Sequence, residues 1–261
     1  MKNRLMALFS IQGRLGRVTS YVLYTVYALL AIALWQMNLG TAIRPFAEIF
    51  ASLKVLWLEK GLAVDIGQSI RLNVVAICTS LVLTLVICYA AVFPIFRPIA
   101  FVISKGRFFG LLGLNFIFIE VFGLGFGLKL SLLAFGMSVF YITSMYTIIT
   151  EIPQEKFDYA RALGLSKIQI LWHVMVRGTA AEMLEALRQN AAIAWMMITA
   201  VEGIVRAGGI GDRLWSSNKH FARGEVLAIL FCILTIGVIQ DILLKGMAKA
   251  FAPHTEKEGN R

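Results

Sequence analysis

The stretch EIPQEKFDYARALGLSKIQILWHVMVRG, from Glu151 to Gly178, is a polar insert between two apolar segments. Its charged and apolar residues follow a helical spacing, and the flanking segments are apolar enough to cross a membrane. A membrane protein with such an insert holds it in the water at one membrane face. We therefore expect the insert to contact another molecule there.

The composition of the whole chain is that of an integral membrane protein. Hydrophobic residues make up 59% of its 261 residues and charged residues only 15%, which is far from the balance of a soluble domain. At about 20 residues per helical span, this length holds about six spans and no separate soluble domain. The predicted fold class is all-α, a polytopic membrane protein. We divide it into an N-terminal segment (1–17), a membrane domain (18–251) and a polar, disordered tail (252–261).

Segments without charged residues locate the spans, because Lys, Arg or Asp at the centre of an inserted helix costs about 2.5–3.5 kcal/mol. The long charge-free runs are Val18 to Ile43, Leu72 to Phe96 and Leu130 to Thr150. The shorter or interrupted runs are Phe108 to Phe122, Gln189 to Val205 and Val226 to Leu244. Of the connections, Arg44 to Gln68 is predicted to be an amphipathic surface helix and Gly208 to Gly224 an outer loop.

The distribution of basic residues predicts the orientation. With six spans and the N-terminus inside, 16 of the 25 Lys and Arg residues fall in inner segments and 9 in outer segments, as the positive-inside rule requires. The insert and both termini are then cytoplasmic. The net charge of +10 is mostly an orientation signal, and nucleic-acid binding is a poor second interpretation.

Local chemistry predicts two short helices at an angle within the insert. Pro153 suits a first helical turn because it has no N–H to leave unpaired, and Gly164 suits a left-handed helix end. Ser166, with a glutamine three residues later, has the spacing of a capping box that begins the second helix. Phe157, Ala160 and Gly164 form a thin stripe of apolar and small residues, which either fits a groove of another protein or lies on lipid headgroups.

The insert also resembles a known motif. Asp158-Tyr159-Ala160, three residues and then Gly164 resemble the Glu-Ala-Ala-x-x-x-Gly loop of the permease subunits of bacterial ATP-binding-cassette importers. Phe122-Gly123-Leu124-Gly125 resembles the outer turn of that family. Ala194-Trp195, Glu202 and Gly209-Ile210-Gly211 are similar to features of its nitrate, sulfonate and taurine branch. Where the loop motif of the family ends in Leu-Pro, this chain has Val176-Arg177.

The resemblance implies the binding-protein-dependent importer permease fold and several partners. A cytoplasmic ATP-binding-cassette ATPase dimer would dock on the loop, a second permease copy would form a homodimer with this one, and an extracytoplasmic substrate-binding protein would deliver the substrate. The sequence has no Gly-x-x-x-x-Gly-Lys-Ser/Thr phosphate loop. We therefore expect ATP and Mg²⁺ on the partner ATPase, and this chain to bind no cofactor and to be no enzyme.

The branch implies a small anion such as nitrate, sulfonate or taurine as the substrate, and the bacterial inner (plasma) membrane as the location. Basic residues predicted on the outer side would attract such an anion, or else dock the substrate-binding protein. They are Arg71, Arg206, Arg213 and Arg223.

The resemblance assigns the coupling to the ATPase to residues of the insert. They are Pro153, Phe157, Asp158, Tyr159, Ala160, Arg161, Gly164 and Ser166. Asp158 is expected to make a polar contact with the ATPase or to cap a neighbouring turn. Ala160 is expected to permit close approach, and Gly164 to make the bend.

Two carboxylates in apolar surroundings, Glu120 and Glu202, are candidates for the translocation path. Because both lie near the ends of predicted spans, carboxylates in water at the outer interface are the favoured interpretation. The three cysteines and three histidines are scattered, without the spacing of a metal site. A rival hypothesis is an ion-coupled secondary transporter or channel without ATP, in which Glu120, Glu202 and Asp241 would be coupling groups.

Overall fold

The structure of the protein, a computed structural model, describes residues 17–36 and 46–251. Every regular element in these ranges is helical, as predicted. The helices are α1 (Arg17–Gln36), α2 (Phe46–Leu58), α3 (Leu62–Ala90), α4 (Arg97–Lys105), α5 (Leu111–Phe122), α6 (Phe126–Thr150), α7 (Gln154–Ala162), α8 (Lys167–Ile170), α9 (Ala180–Val205), α10 (Ile210–Lys219) and α11 (Arg223–Phe251). A π-helical turn, Leu171–Val176, continues α8.

Three helices, α3, α6 and α11, are long and apolar enough to cross a membrane. Two further pairs are bent at a short break, α9 with α10 by 65° and α4 with α5 by 119°. The described part of the chain thus holds three candidate spans, or five if each bent pair is one span. The first predicted span corresponds to α1 as far as residue 36. Its remainder, the first 16 residues and the predicted tail lie outside the described residues.

α6 is the central helix of the bundle. In the apolar 18-residue stretch of α6, 56% of the residues are buried, whereas in the corresponding stretch of α11 only 11% are buried. It packs against α3, α4, α5 and α9, while α11 packs against α2, α9 and α10. The main core cluster includes Leu56, Leu72, Met137, Ile198 and Ile229. Large apolar side chains on α1, α3 and α11 stay exposed, as expected of helices that face lipid or another membrane subunit.

Two spans begin at least two helical turns earlier than the charge-free runs predicted: α3 by ten residues and α9 by nine. The extra turns carry charged residues whose partners come from other helices. Asp65 of α3 pairs with Arg213 of α10, and Arg188 of α9 pairs with Asp241 of α11 at 2.5 Å. Ionisable groups inside membrane bundles are tolerated when they pair with one another. The charge-free runs therefore place the start of both spans too late.

The single surface helix predicted over Arg44 to Gln68 is wrong. From residue 46 onward, the chain forms α2 and then the first turns of α3. Gly61, with φ +68°, separates them in a left-handed conformation that favours glycine. Leu56 is fully buried, so α2 packs into the core and is not an independent surface helix.

The loop predicted over Gly208 to Gly224 is also wrong, because most of it is α10. Gly208 and Gly209, with φ of +85° and +98°, form the break after α9. Ile210 and Ser217 are then buried as α10 packs against α3, α9 and α11. The polar, glycine-rich composition suggested a loop, but tertiary packing stabilises a helix.

A buried carboxylate ties α10 to α9 and α3. Glu202, near the end of α9, is 0% exposed. Its two oxygens accept hydrogen bonds from the Ser69 hydroxyl at 2.7 and 2.8 Å and from the Gly211 N–H at 2.8 Å. Ser69 in turn accepts the Ile210 N–H at 2.9 Å. The expectation that Glu202 is a carboxylate in water is therefore wrong, because these donors take the place of water. We call these four residues the Glu202 cluster.

Two glycines allow α10 to approach this carboxylate. A Cβ added to Gly209 would lie 2.2 Å from Oε1 of Glu202, and one added to Gly211 would lie 2.7 Å from the carbonyl oxygen of Thr199. Such distances are far inside van der Waals contact, and a close-packed interior has no space to absorb them. The Gly-Ile-Gly sequence is thus a requirement of close packing at the start of α10.

Lys129 of α6 forms hydrogen bonds at the same end of the bundle. Its side chain is buried, and its ammonium group donates to the carbonyl oxygens of Ala207 and Gly208 at 2.9 and 2.6 Å. Both carbonyls belong to the break between α9 and α10, so this ammonium group ties the break to α6. We call this end the α10 end. The other end of α6, at Thr150, leads into the polar insert and is called the loop end.

We expect Gly211→Ala to destabilise the protein by about 1–3 kcal/mol, because the added methyl group collides with Thr199 and Glu202. Gly113→Ala in α5 is the matched control, since a Cβ there meets nothing within 4 Å. It should be neutral, or stabilise by about 0.4–1 kcal/mol through the unfolded state. Thermal unfolding of both variants in detergent tests this, and equal midpoints would contradict the close packing of α10.

Candidate functional site

At the loop end, α7 has both ends defined by local interactions. Pro153, in an extended conformation with ψ 137°, immediately precedes the helix. Gly164 takes φ +72° after its last turn. The Gly164 N–H bonds the Arg161 carbonyl at 2.9 Å, and the Leu165 N–H bonds the Ala160 carbonyl at 3.1 Å. These are the two hydrogen bonds of a Schellman motif, so the predicted left-handed helix end is confirmed.

α8 begins at the predicted capping box. The Gln169 N–H donates to Oγ of Ser166 at 3.4 Å, and the Ser166 N–H donates to the Gln169 side chain at 2.8 Å. α8 continues into the wider π-helical turn, and Gly178 follows two residues after that turn ends. A Cβ added to Gly178 would lie 2.2 Å from the Val174 carbonyl oxygen. Val176 and Arg177, where the family has Leu-Pro, are the last residue of the π-helical turn and the residue before this glycine.

Two of the three residues of the apolar stripe predicted on α7, Phe157 and Ala160, face the chain itself, while Gly164 is exposed. Ala160 is only 4% exposed. Phe157 is half-buried and lines a cavity beneath the insert. Ala160 therefore permits α7 to approach the rest of the same chain closely. The prediction that the Ala160 methyl group fits a groove in another protein is wrong.

Four large apolar side chains of the insert point away from the chain instead. Tyr159 and Leu163 are 75% and 76% exposed, and Ile168 and Trp172 are 78% and 56% exposed. The members of each pair are four residues apart, which places them on one side of a helix. Exposed apolar groups in an otherwise polar segment indicate an interaction surface. We call these four side chains the outward face.

Sequence reasoning found only Tyr159 of this surface, because it lies within the recognised motif. Leu163, Ile168 and Trp172 were missed as members of this exposed surface. The available signal was the spacing within each pair, since Leu163 follows Tyr159 and Trp172 follows Ile168 by four residues in a polar segment. Which side of each helix points outward depends on how the insert packs, and that is a tertiary property.

The charged groups of α7 are exposed enough for a partner to rearrange them. Asp158 and Arg161 form an ion pair at 3.0 Å, with both side chains 62% exposed. A pair this exposed contributes about 0–1 kcal/mol. Asp158 therefore contacts its own helix and caps no neighbouring turn, and both groups are available for exchange with charges on another protein.

The structure does not bring the candidate carboxylates together. Glu202 lies in its buried cluster at the α10 end, and Glu120 is exposed on α5. Asp241 contacts Arg188, which precedes Glu202 on α9 by 14 residues, or about 21 Å at 1.5 Å per residue. These groups do not form one intramembrane site of the kind that the rival hypothesis of a secondary transporter needs.

Comparison with known proteins agrees with the motif. The sequence matches the family of binding-protein-dependent transport system inner membrane components over residues 5–256. It is 26% identical over 132 residues to the taurine transport system permease protein TauC of Escherichia coli K12, covering 51% of this chain and 48% of that protein. It is 26% identical over 143 residues to the nitrate import permease protein NrtB of Leptolyngbya laminosa, covering 50% and 51%. The chain thus spans about half the length of these relatives.

Among solved structures, the fold is similar to a chain of the inward-facing MetNI methionine ABC transporter. The TM-score is 0.65, and the match covers 76% of this chain and 98% of that chain at 16% identity. This likeness establishes the all-helical fold. The family match over nearly the whole length identifies the chain as a member of the family of binding-protein-dependent transport system inner membrane components.

Proposed function

We propose that the chain is the permease subunit of an ATP-binding-cassette importer. It forms the substrate path and couples this path to ATP hydrolysis on a separate ATPase. The observation that carries the coupling role is the geometry of α7, which is fixed at both ends and turns apolar side chains away from its own chain. Since the sequence has no P-loop motif, ATP and Mg²⁺ bind to the ATPase.

The ATPase docks on the outward face. Burial of apolar surface favours association by about 25 cal/mol per Å², and Tyr159 and Leu163 expose the most of it on α7 and its cap. Asp158 supplies a polar group at the rim of such a contact. Pro153, Gly164 and Ser166 do not need to touch the partner, because their role is to set the direction of α7 and α8.

The loop end faces the cytoplasm, and the α10 end faces outward. The excess of basic residues in the inner segments supports this orientation, which places both termini in the cytoplasm and the chain in a bacterial inner membrane. Two copies of the chain form the path, an ATPase dimer binds their inserts, and a substrate-binding protein docks at the α10 end.

The substrate is a small anion such as nitrate, sulfonate or taurine. The permeases for taurine and nitrate among the relatives support this class. Two outer arginines are exposed and held in place over aromatic rings, Arg71 at 5.3 Å from Phe126 and Arg206 at 5.5 Å from Trp215. Because Glu202 is buried and its oxygens are hydrogen-bonded within the Glu202 cluster, Glu120 is the remaining candidate for the translocation path.

Gly164→Val should uncouple ATP hydrolysis from transport while leaving membrane insertion intact. At φ +72° a Cβ costs about 1–2 kcal/mol, so the angle between α7 and α8 is lost. Gly164→Asn is the control, because Asn also occupies helix ends of this conformation. Uptake and ATP hydrolysis are measured in vesicles with the complete transporter, and a Val variant that transports as well as the unaltered protein would refute the role of the bend.

Leu163→Asp should reduce ATPase capture at least tenfold, since a carboxylate replaces the apolar centre of the docking surface. Leu124→Asp makes the same change at the α10 end, where the side chain is similarly exposed (79% against 76%), and should leave capture unchanged. The measurement is affinity purification of the tagged chain from its solubilised native membrane. A chain that purifies without an ATPase and supports ATP-independent flux would favour the secondary transporter.

A further inference from the structure

A cavity lies between the insert and the ends of two membrane helices. Its volume is about 930 Å³, at the upper end of the roughly 300–1,000 Å³ usual for small-molecule sites. Residues at the end of α3 and at the end of α6 form one wall, and α7, α8 and the π-helical turn form the other. The cavity therefore sits at the level where α3 and α6 leave the membrane.

The wall of the cavity is mostly apolar. Aliphatic and aromatic side chains line it on every side, among them Ala91, Phe93, Ile149, Phe157, Leu171 and Met175. Phe93 itself is 58% exposed, so the apolar wall continues to the protein surface. At a membrane boundary, such a wall suits a hydrocarbon chain.

The charged residues that line this cavity are both cations, Arg161 and Lys167. Both are exposed, so they lie at its rim. Asp158 occupies one edge of the Arg161 guanidinium, which has five N–H donors and thus retains several for a second anion. Basic groups above an apolar pocket at the cytoplasmic membrane surface fit a phosphate headgroup with its chains below.

α7 separates this cavity from the ATPase docking surface. Phe157 and Arg161 lie on the side that lines the cavity, whereas Tyr159 and Leu163 are exposed and take no part in its lining. Ile168 borders both. An occupant of the cavity would therefore support α7 from the membrane side while the ATPase contacts its other side.

We infer that an anionic phospholipid of the adjoining leaflet occupies this cavity, with its phosphate between Arg161 and Lys167 and an acyl chain against the apolar wall. The inference depends on the proposed function, because that places the insert at the cytoplasmic membrane surface. The lipid holds α7 at a fixed distance from the ends of α3 and α6. The lipid thereby keeps α7 in position when the ATPase contacts the other side of this helix.

Native mass spectrometry of the full-length chain, purified in detergent without its partners, tests the site directly. Phosphatidylglycerol and phosphatidylcholine with identical acyl chains are titrated separately. The unaltered chain should bind phosphatidylglycerol at least fivefold more tightly. Equal binding of the two lipids would overturn the inference.

Charge variants locate the site. At about 1 kcal/mol per basic residue near a lipid surface, Lys167→Gln should weaken phosphatidylglycerol binding about fivefold, and the double variant Arg161→Gln with Lys167→Gln about 30-fold. Lys156→Gln is the matched control, because Lys156 is exposed on α7 but does not line the cavity. An equal loss in Lys156→Gln would show only a general attraction to the insert and would also overturn the site.

A cavity-filling variant tests the acyl-chain part independently of charge. Val92 is half-buried in the cavity wall, and in Val92→Trp the indole would take the place of the hydrocarbon. Phosphatidylglycerol binding should fall at least tenfold, and unchanged binding would contradict the position of the chain. Because the ATPase is absent from these measurements, they fail or succeed separately from the ATPase capture that tests the proposed function.

Discussion

The hydrogen bonds of the Glu202 carboxylate are the constraint on which the α10 end depends. A carboxylate removed from water must find donors inside the protein, and here they come from Ser69 of α3 and the backbone of Gly211. Satisfying this one group fixes the 65° bend between α9 and α10 and holds α10 against the first turns of α3. The approach is possible only because Gly209 and Gly211 have no side chains. The acid and the two glycines are therefore one structural unit.

The loop end is organised by interactions of a different kind. Among the residues of α7 only Ala160 is buried, so a hydrophobic core contributes little there. The Schellman motif at Gly164 and the capping box at Ser166 instead satisfy backbone groups within a few residues of each other. A segment built in this way keeps its shape without a large buried area. Both sides of α7 are left available, one toward the cavity at the membrane and one toward the cytoplasm.

α6 connects the two ends. Lys129 in its first turn binds the carbonyl oxygens of Ala207 and Gly208 in the break between α9 and α10, and Thr150 at its other end leads into the insert. Because α6 is the most buried of the long helices and packs against α3 and α9, it does not shift alone. A displacement of the insert that moves α6 must also move these neighbours, since packed interiors deform as units.

The sequence alone determined the fold class and the local geometry of the insert. Hydropathy predicts membrane helices in any arrangement, and the caps at Gly164 and Ser166 involve residues no more than five positions apart. Only the tertiary structure decided where charges are tolerated and which side of α7 faces outward. Asp65 and Arg213 are 148 positions apart and Ser69 and Glu202 are 133 apart. The free energy of a buried charge depends on such distant partners. The charge-free runs therefore began α3 and α9 too late, and the sequence predicted Glu202 to lie in water.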